Sequence, residues 1–259
     1  MALPFAKTKQ KDDFSQLNKL IYGFPKTGKT TLASMMKSGD KEPLFITTED
    51  GHGAIEVYAQ SVLEETALPD QKEKHWKKFL RVRDFIVKNR EEIRKSYSCI
   101  VIDLVSDLDD MATDYILKKF KVSALADLEW GKGWTLQHAE FKDGITPLFD
   151  VLPVVFITHS REKDWTYNGE KVKIQAPTMS SRCFDYVNGK VDLIGWIVPA
   201  GTKNDKPYLT FRPSKMAIAG SRFNFLATKD FELNYMDMQK SYTDVAEYFK
   251  TNVGVVNGK

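Results

Sequence analysis

Cysteine is scarce in this chain of 259 residues, which contains two, Cys99 and Cys183. They lie far apart, so they form neither a closely spaced metal-binding pair nor the disulfide framework of a small secreted protein. Cys99 adjoins the apolar run at residues 100–102, and we expect it to be buried as a thiol. This cysteine usage fits a reducing compartment and predicts a cytoplasmic protein.

Long apolar runs are also missing. No stretch approaches the roughly 18 apolar residues that a membrane-spanning helix requires, and residues 1–13 lack the apolar centre of a signal peptide. The sequence therefore predicts neither secretion nor a membrane partner. It also lacks repeats and low-complexity linkers, so we predict a single domain over residues 1–259 with a loose lead-in over residues 1–14.

A strong excess of one charge is absent. The 38 basic and 35 acidic residues give a net charge of +3, which does not by itself indicate a nucleic-acid partner. Between residues 71 and 95, ten Lys or Arg stand against four Asp or Glu, which we interpret as a solvated helix face. The hydrophobic share of 42% is that of a globular protein with a sizeable core.

The pattern up to about residue 160 alternates between strands and helices. Buried strands are expected at residues 17–22, 44–48, 99–102 and 154–158, and helices at residues 29–37, 73–95, 106–121 and 141–148. This alternation predicts an α/β fold with a mostly parallel sheet flanked by helices.

The pattern after residue 160 is β-rich. The dipeptide Asn168-Gly169 lies between alternating residues at 165–174, which predicts a β-hairpin. Further strands are expected at residues 193–198 and 208–212, followed by a last helix at residues 242–250, which Ser241 with Asp244 three residues on is predicted to start. We therefore predict an antiparallel, β-rich C-terminal extension of the same domain.

The strongest motif is GFPKTGKT at residues 23–30, which matches G-x-x-x-x-G-K-[ST] between a predicted strand and a predicted helix. Backbone N–H groups in such a loop form a nest for a polyanion, and the helix points its positive end at the same place. Lys29 is predicted to hold the β- and γ-phosphates, and the Thr30 hydroxyl to bind Mg²⁺. The residues predicted to contact ATP here are Gly23, Pro25, Lys26, Thr27, Gly28, Lys29, Thr30 and Thr31.

Two acidic residues follow buried strands. Asp103 ends the apolar run at residues 100–102, which after a P-loop predicts a Walker B carboxylate that holds Mg²⁺. Glu49 ends the strand after the P-loop helix, where a carboxylate can orient and deprotonate the attacking water. Asp50 competes with Glu49 for this role. The simpler interpretations are a helix N-terminal residue for Asp103 and a surface acid for Glu49.

A polar pair, Thr158-His159, ends the strand at residues 154–158. A side chain in this place can sense the γ-phosphate and relay its presence to the next loop. A purely structural histidine is the alternative. The segment that follows, residues 160–176, interleaves basic and aromatic residues, which suits single-stranded nucleic acid, although its charge is nearly balanced.

Together these motifs resemble the RecA-like recombination ATPases, and most closely the small phage-encoded RecA-like single-strand annealing proteins. The resemblance covers about residues 17–225. It rests on the order and spacing of the P-loop, FITTE at residues 45–49, the strand ending in Asp103, WGKGW at residues 130–134 and VFITHS at residues 155–160. A RecA-like P-loop sheet, ATP with Mg²⁺, and action in a bacterial host's cytoplasm are the corresponding expectations.

The resemblance also assigns roles to individual residues. It implies that Glu49 is the catalytic base and that His159 replaces the glutamine with which RecA proteins sense the γ-phosphate. It places Tyr58 near the adenine. Residues 130–134 and 160–176 would correspond to the two DNA-binding loops. The DNA-binding candidates in the second loop are Arg161, Lys163, Trp165, Tyr167, Lys171 and Lys173.

Other interpretations of these segments remain open. The aromatic residues of the hairpin could instead cover the sheet, and core packing is the simpler interpretation of Trp130 and Trp134. In RecA-like assemblies a neighbouring subunit supplies basic residues to the ATP site, which makes Lys215 and Arg222 candidates for contacts in trans. A homo-oligomeric ring or filament is expected, and surface charge is the alternative role of both residues.

Two classes of function therefore compete. The first is a Mg-dependent ATPase that binds single-stranded DNA in phage-type recombination or annealing. The second is a P-loop kinase that phosphorylates a small molecule or nucleotide, in which residues 161–173 would serve as a basic lid. Glu49, placed to activate water, favours hydrolysis. A nucleotide-dependent scaffold with little turnover is a third possibility.

Overall fold

The computed structural model describes residues 10–49, 55–63, 65, 71–167, 169–201 and 206–256. The strands within these ranges are β1 (Lys19–Gly23), β2 (Glu42–Thr47), β3 (Tyr58–Ser61), β4 (Tyr97–Asp103), β5 (Val154–Tyr167), β6 (Glu170–Pro177), β7 (Leu193–Val198), β8 (Tyr208–Thr210), β9 (Gly220–Ser221) and β10 (Asp230–Glu232). The helices are α1 (Lys29–Ser34), α2 (Lys72–Lys88), α3 (Arg90–Ser96), α4 (Val105–Phe120), α5 (Lys132–Ile145), α6 (Ser181–Lys190) and α7 (Met238–Val256).

The strands form a sheet in the order β10-β8-β7-β1-β5-β4-β2-β3. The six strands from β7 to β3 are parallel, whereas β8, β9 and β10 pair antiparallel beside β7. This arrangement confirms the predicted α/β fold with a mostly parallel sheet and an antiparallel C-terminal part. The carboxyl ends of the parallel strands meet at one edge, where ligands of such sheets bind.

The parallel strands are buried because helices cover both faces of the sheet. In β1, Leu20 and Tyr22 belong to one core cluster with Trp76 of α2, while Ile21 belongs to the other cluster with Leu32 of α1. Because both faces of the sheet are buried, these strands appear in the sequence as continuous apolar runs. No helix among the described residues has the length and apolarity required to cross a membrane.

The single helix predicted at residues 73–95 is two separate helices, so the prediction of one continuous helix was wrong. Asn89 separates α2 from α3, and its side-chain amide donates a hydrogen bond to the Phe85 carbonyl oxygen at 2.8 Å. Local side-chain hydrogen bonds of this kind compete with the helical pattern. The predicted apolar face is nevertheless present, because Trp76, Phe79 and Ile93 are all buried.

The lead-in predicted over residues 1–14 is anchored at its end. Phe14 is buried against the rings of Phe211 and Phe249, and Lys11 forms an ion pair with Asp192 at 2.7 Å. Aromatic packing of a residue so near the start of the chain gives no periodic signal in sequence. Lys11 and Phe14 are therefore not part of a loose lead-in, and residues 1–9 lie outside the described part.

The last helix begins earlier than the predicted residue 242. α7 starts at Met238, because the Asp237 carboxylate accepts a hydrogen bond from the Lys240 backbone N–H at 2.9 Å. Asp237 is thus the residue that caps the helix, and Ser241 instead accepts from the Asn234 backbone N–H at 2.8 Å. The prediction chose the wrong one of two polar residues that could cap a helix.

The predicted hairpin is confirmed, and it is longer than expected. β5 continues past His159 without a break and pairs antiparallel with β6, from Ser160 opposite Pro177 to Tyr167 opposite Glu170. One strand therefore runs from the centre of the parallel sheet into the hairpin. The sequence prediction missed helix α6, which begins directly after the hairpin.

Candidate functional site

The P-loop leaves the sheet at the end of β1 and closes on helix α1. Lys26 and Gly28 have positive φ angles of 62° and 76°, which turn successive backbone N–H groups toward one side of the loop. Gly23 is tightly enclosed, because an added Cβ would lie 3.0 Å from the Ile197 carbonyl oxygen. The loop therefore has the form expected of a phosphate-binding nest at a helix N-terminus.

Lys29 is almost completely buried beneath this loop. Its ammonium donates hydrogen bonds to the carbonyl oxygens of Phe24 at 2.8 Å and Gly23 at 3.3 Å, and it lies 3.3 Å from His159 Nδ1. Burial lowers the pKa of Lys29 to about 8, against the opposing effect of Asp103 and Glu49. The lysine is thus held at the loop by backbone oxygens and remains close to two carboxylates.

The predicted magnesium ligands lie together. The Thr30 hydroxyl donates to Asp103 Oδ2 at 2.7 Å, although the two residues are 73 positions apart in the chain. Asp103 is buried at the end of β4. In the sheet, β5 lies between β4 and the P-loop strand β1. The carboxylate thereby reaches the first turn of α1.

These residues fit Mg²⁺ bound together with a nucleotide. Mg²⁺ prefers oxygen ligands and is usually held by one or two carboxylates plus substrate phosphates. Thr30 and Asp103 supply a hydroxyl and a carboxylate beside the phosphate-binding loop. Within the described ranges no group of three or more His, Cys, Asp or Glu side chains could hold a metal ion.

Glu49 follows β2 and lines the same cleft as Lys29, with its side chain exposed. The adjoining Thr48 fixes the backbone there, because its hydroxyl donates to Asp107 Oδ2 at 2.9 Å and accepts from the Leu104 N–H at 2.8 Å. Burial is the main cause that raises the pKa of Asp107, and Glu49 adds to the effect. Asp50 lies outside the described residues.

His159 lies at the sheet edge between the P-loop and the Walker B strand. Its Cα pairs with that of Gly23, and burial followed by the Lys29 charge lowers its pKa. Its carbonyl oxygen accepts a hydrogen bond from the Thr178 N–H at 2.9 Å, and the Thr158 hydroxyl donates to the Thr178 carbonyl oxygen at 3.0 Å. The predicted sensor pair is therefore bonded directly to the base of the hairpin.

The P-loop, the two carboxylates and His159 enclose one cleft of about 570 Å³. The sequence analysis missed several residues of its wall, because they come from distant parts of the chain. These are Ile55, Leu104, Tyr235 and Met238.

Tyr58 does not line this cleft, so the structure does not support its predicted place near the adenine. It lies in β3 at the far edge of the sheet, four strands from β1, which corresponds to roughly 19 Å. Its register opposite Leu44 also puts it away from the carboxyl edge. There it contacts the Tyr97 ring at 5.6 Å and lines a separate cleft against α2.

The hairpin distributes the predicted DNA-binding residues over two faces. Side chains alternate along each strand, so Arg161, Lys163 and Trp165 share one face, while Lys171 and Lys173 share the other. Lys173 forms a salt bridge with Glu162 at 2.5 Å. The first face borders a cleft of about 450 Å³ against α6 and residues 213–219. The side chain of Tyr167 is outside the described part.

Trp130 and Trp134 are not core residues, so the simpler interpretation of core packing was wrong. Their side chains are 98% and 43% exposed. Trp130 and Gly131 both have positive φ angles, and Gly133 is required because an added Cβ would lie 2.1 Å from the Leu125 carbonyl oxygen. This tight turn presents both rings to solvent at the start of α5.

The two residues predicted to act in trans lie in different surroundings. Lys215 lines the cleft beside the hairpin. Arg222 contacts Asp192 Oδ1 at 3.3 Å and the Gly189 carbonyl oxygen at 2.8 Å. Asp192 precedes β7, so Arg222 lies at the edge of the sheet opposite the P-loop. Contacts in trans stay a prediction for both residues, and for Arg222 they would require breaking this ion pair.

A protein-family model described as AAA domain matches residues 15–223 of the chain. The match covers most of the sequence, and the chain belongs to this family. The fold and the P-loop described above are those of a P-loop ATPase-type domain.

A relative of this chain is the SPbeta prophage-derived uncharacterized protein YorG of Bacillus subtilis (strain 168). The two are 24% identical over 244 residues, which cover 91% of this chain and 68% of YorG. A solved structure of an ATPase from the type III secretion system of pathogenic bacteria is similar with a TM-score of 0.42 and 12% identity. The matched region covers 71% of this chain and 52% of the ATPase chain. This chain thus spans about half the length of that ATPase. The RecA-like annealing subtype stays a prediction.

Proposed function

We propose that this protein is a Mg-dependent ATPase. The observation that carries the proposal is the contact between Thr30 and Asp103 at 2.7 Å, beside the buried Lys29. Glu49 and His159 line the same cleft. A phosphate nest, a magnesium carboxylate and an exposed acid therefore converge on one place, which is the combination that hydrolysis of a nucleoside triphosphate requires.

Each residue has a role that its position supports. Lys29 would hold the β- and γ-phosphate oxygens as a buried cation, and Thr30 with Asp103 would hold Mg²⁺. When bound, Mg²⁺ neutralises charge that develops on the phosphate oxygens. Glu49 accepts a proton from the attacking water. His159 senses the terminal phosphate, which its place 3.3 Å from Lys29 Nζ supports, and its carbonyl oxygen joins it to the Thr178 N–H at the base of the hairpin.

We further propose that the β5–β6 hairpin binds single-stranded DNA, in phage-type recombination or annealing. Trp165 is partly exposed on the face that carries Arg161 and Lys163, and aromatic side chains offer stacking platforms for bases. Arg182 at the start of α6 donates to the Thr135 hydroxyl at 3.1 Å, which joins the hairpin side to the α5 turn with its exposed tryptophans. A prophage-derived relative is consistent with this role in a bacterial cytoplasm.

Several subunits would have to act together on DNA. Residues 160–174 carry four basic and three acidic residues, and the salt bridge between Lys173 and Glu162 neutralises part of this small excess. A single hairpin is therefore a weak electrostatic site. We expect a ring or filament in the presence of an ATP analogue, which light scattering after size-exclusion chromatography measures directly.

The decisive experiment is an ATPase assay with and without single-stranded DNA, and with candidate small-molecule acceptors. DNA-stimulated release of phosphate supports the recombination function. Unstimulated hydrolysis supports the ATPase and contradicts the DNA part. Transfer of the phosphate to an acceptor, without release to water, would replace both proposals by the kinase alternative. ATP binding without turnover would identify a nucleotide-dependent scaffold.

A further inference from the structure

The cleft at the P-loop has a polar and an apolar part. The polar part contains the loop, Lys29, Asp103 and His159, which match a triphosphate and its metal. The apolar part includes Ile55, Leu104, Tyr235 and Met238. Apolar side chains contribute nothing to binding a triphosphate, but they can pack against a nucleobase. Ligand sites typically combine such apolar surface with a few placed polar groups.

Tyr235 and Met238 lie directly against the phosphate-binding loop. A methyl group added at Gly28 would lie 3.0 Å from Met238 Cε and 3.3 Å from Tyr235 Cε1. Met238 is buried, while the Tyr235 side chain is 50% exposed and so retains an accessible surface. The ring is thus close enough to the phosphate-binding loop for one bound nucleotide to contact both.

The turn that carries Tyr235 is well fixed. Asn234 accepts hydrogen bonds from the backbone N–H groups of Met236 at 3.0 Å and Asp237 at 3.0 Å. Its own N–H donates to the Ser241 hydroxyl at 2.8 Å. Helix α7 follows and packs into the same core cluster as α1. The aromatic ring is therefore held at the P-loop by structure on both sides rather than by a loose tail.

We propose that Tyr235, supported by Met238, forms the nucleobase-binding face of this site and sets the preference for purine nucleotides. This inference rests on the proposed binding of ATP and replaces the role that the sequence gave to Tyr58. Stacking on a tyrosine is available to every base, and it strengthens with the area of the ring system. The purine nucleotide ATP should therefore bind more tightly than the pyrimidine nucleotide CTP.

The test compares Mg-ATP, Mg-CTP and inorganic tripolyphosphate by isothermal titration calorimetry. Tyr235→Ala should weaken ATP binding roughly tenfold, or about 1.4 kcal/mol, and should reduce the preference over CTP. Its affinity for tripolyphosphate should equal that of the wild type, because that ligand lacks a base. Tyr235→Phe should retain the affinity of the wild type for ATP.

Met236→Ala is the matched control, because Met236 lies in the same turn, is 95% exposed and is outside the cleft wall. It should change none of the three affinities. Unchanged ATP binding by Tyr235→Ala, or an equal loss of ATP and tripolyphosphate, would overturn the proposal. So would a Met236→Ala protein that loses ATP binding to the same extent. A wild-type protein that fails to bind ATP would instead disprove the proposed function itself.

Discussion

The P-loop and the β5–β6 hairpin differ in how their functional side chains are held. Lys29 is buried and bonded to two backbone oxygens, and Thr30 contacts a buried carboxylate. The side chain of Trp165 in the hairpin is partly exposed, and Lys173 already has an acidic partner. A preorganised site gives large losses when one group is removed, whereas a site of several exposed contacts gives small, additive ones.

A buried polar network connects the two regions. The Asp109 carboxylate of α4, the helix that follows Asp103, accepts hydrogen bonds from the Ser180 backbone N–H at 2.6 Å and from the Gln137 amide of α5. Ser180 lies between the end of the hairpin and α6. Together with the bonds between Thr178 and the end of β5, this gives the nucleotide site two physical connections to the hairpin.

The largest expected effect concerns Lys29. Lys29→Ala should weaken Mg-ATP binding about a hundredfold or more, because it removes charge-assisted hydrogen bonds to the phosphates. The fold should remain, since the two carbonyl oxygens that Lys29 contacts belong to the P-loop and not to either core cluster. Calorimetry measures the affinity, circular dichroism checks the fold, and exposed Lys95→Ala serves as the control. ATP affinity equal to that of the wild type in a folded variant would refute the site.

The second effect concerns turnover. Glu49→Gln should retain Mg-ATP binding and lose hydrolysis by about a hundredfold, because the amide keeps the shape of the side chain and cannot accept the proton. Phosphate release under single-turnover conditions measures the loss. Asp50→Asn and Asp107→Asn are the matched comparisons. If Asp50→Asn abolishes turnover and Glu49→Gln does not, the base has been assigned to the wrong acid.

The third effect concerns the metal. Asp103→Asn should raise the Mg²⁺ concentration needed for half-maximal ATPase activity by at least about tenfold, because the amide is a poorer magnesium ligand and a weaker partner for Thr30. A magnesium titration of the ATPase rate measures this. Asp110→Asn, at an exposed position on the following helix, is the control. An unchanged magnesium requirement would leave Asp103 as a structural helix residue.

The fourth effect concerns the hairpin, where we expect smaller changes. Trp165→Ala should weaken binding of single-stranded DNA about tenfold in the presence of an ATP analogue, because base stacking contributes ~1–3 kcal/mol. Fluorescence anisotropy with a labelled oligonucleotide, with ATP analogue, with ADP and without nucleotide, measures the affinity. The Trp130→Ala variant tests the neighbouring α5 turn in the same assay. Absence of DNA binding in every state, by protein that binds ATP, would exclude the recombination function.

The smallest expected effect separates two lysines of the same hairpin face. Lys171→Ala should lower the salt dependence of DNA binding by about 0.7 in slope, the value for one phosphate contact on a single strand. Lys173→Ala should lower it by less, because Lys173 already pairs with Glu162. The comparison requires anisotropy titrations over a series of salt concentrations. Equal slopes for both variants and the wild type would show that this face does not contact phosphates.

The fold was predictable where the spacing of apolar residues and the length of the segment indicate the same type of secondary structure. The strands ending at Asp103 and Val198 and the buried face of α2 follow from patterns within a few residues. Errors arose where side chains decide locally between two outcomes. Asn89 ends a helix that periodicity would continue, and Asp237 rather than Ser241 caps the last one.

The sequence by itself determined the phosphate-binding loop, because nearly all of its chemistry lies in contiguous residues 23–30 and needs a strand before it and a helix after it. Only the tertiary structure decided which distant residues complete the cleft. Tyr58 and Tyr235 are indistinguishable as sequence, yet the order of strands puts the first at a remote edge while the turn before α7 brings the second against Gly28. The distance of each tyrosine from the P-loop depends on packing between elements far apart in the chain, and local sequence patterns do not predict it.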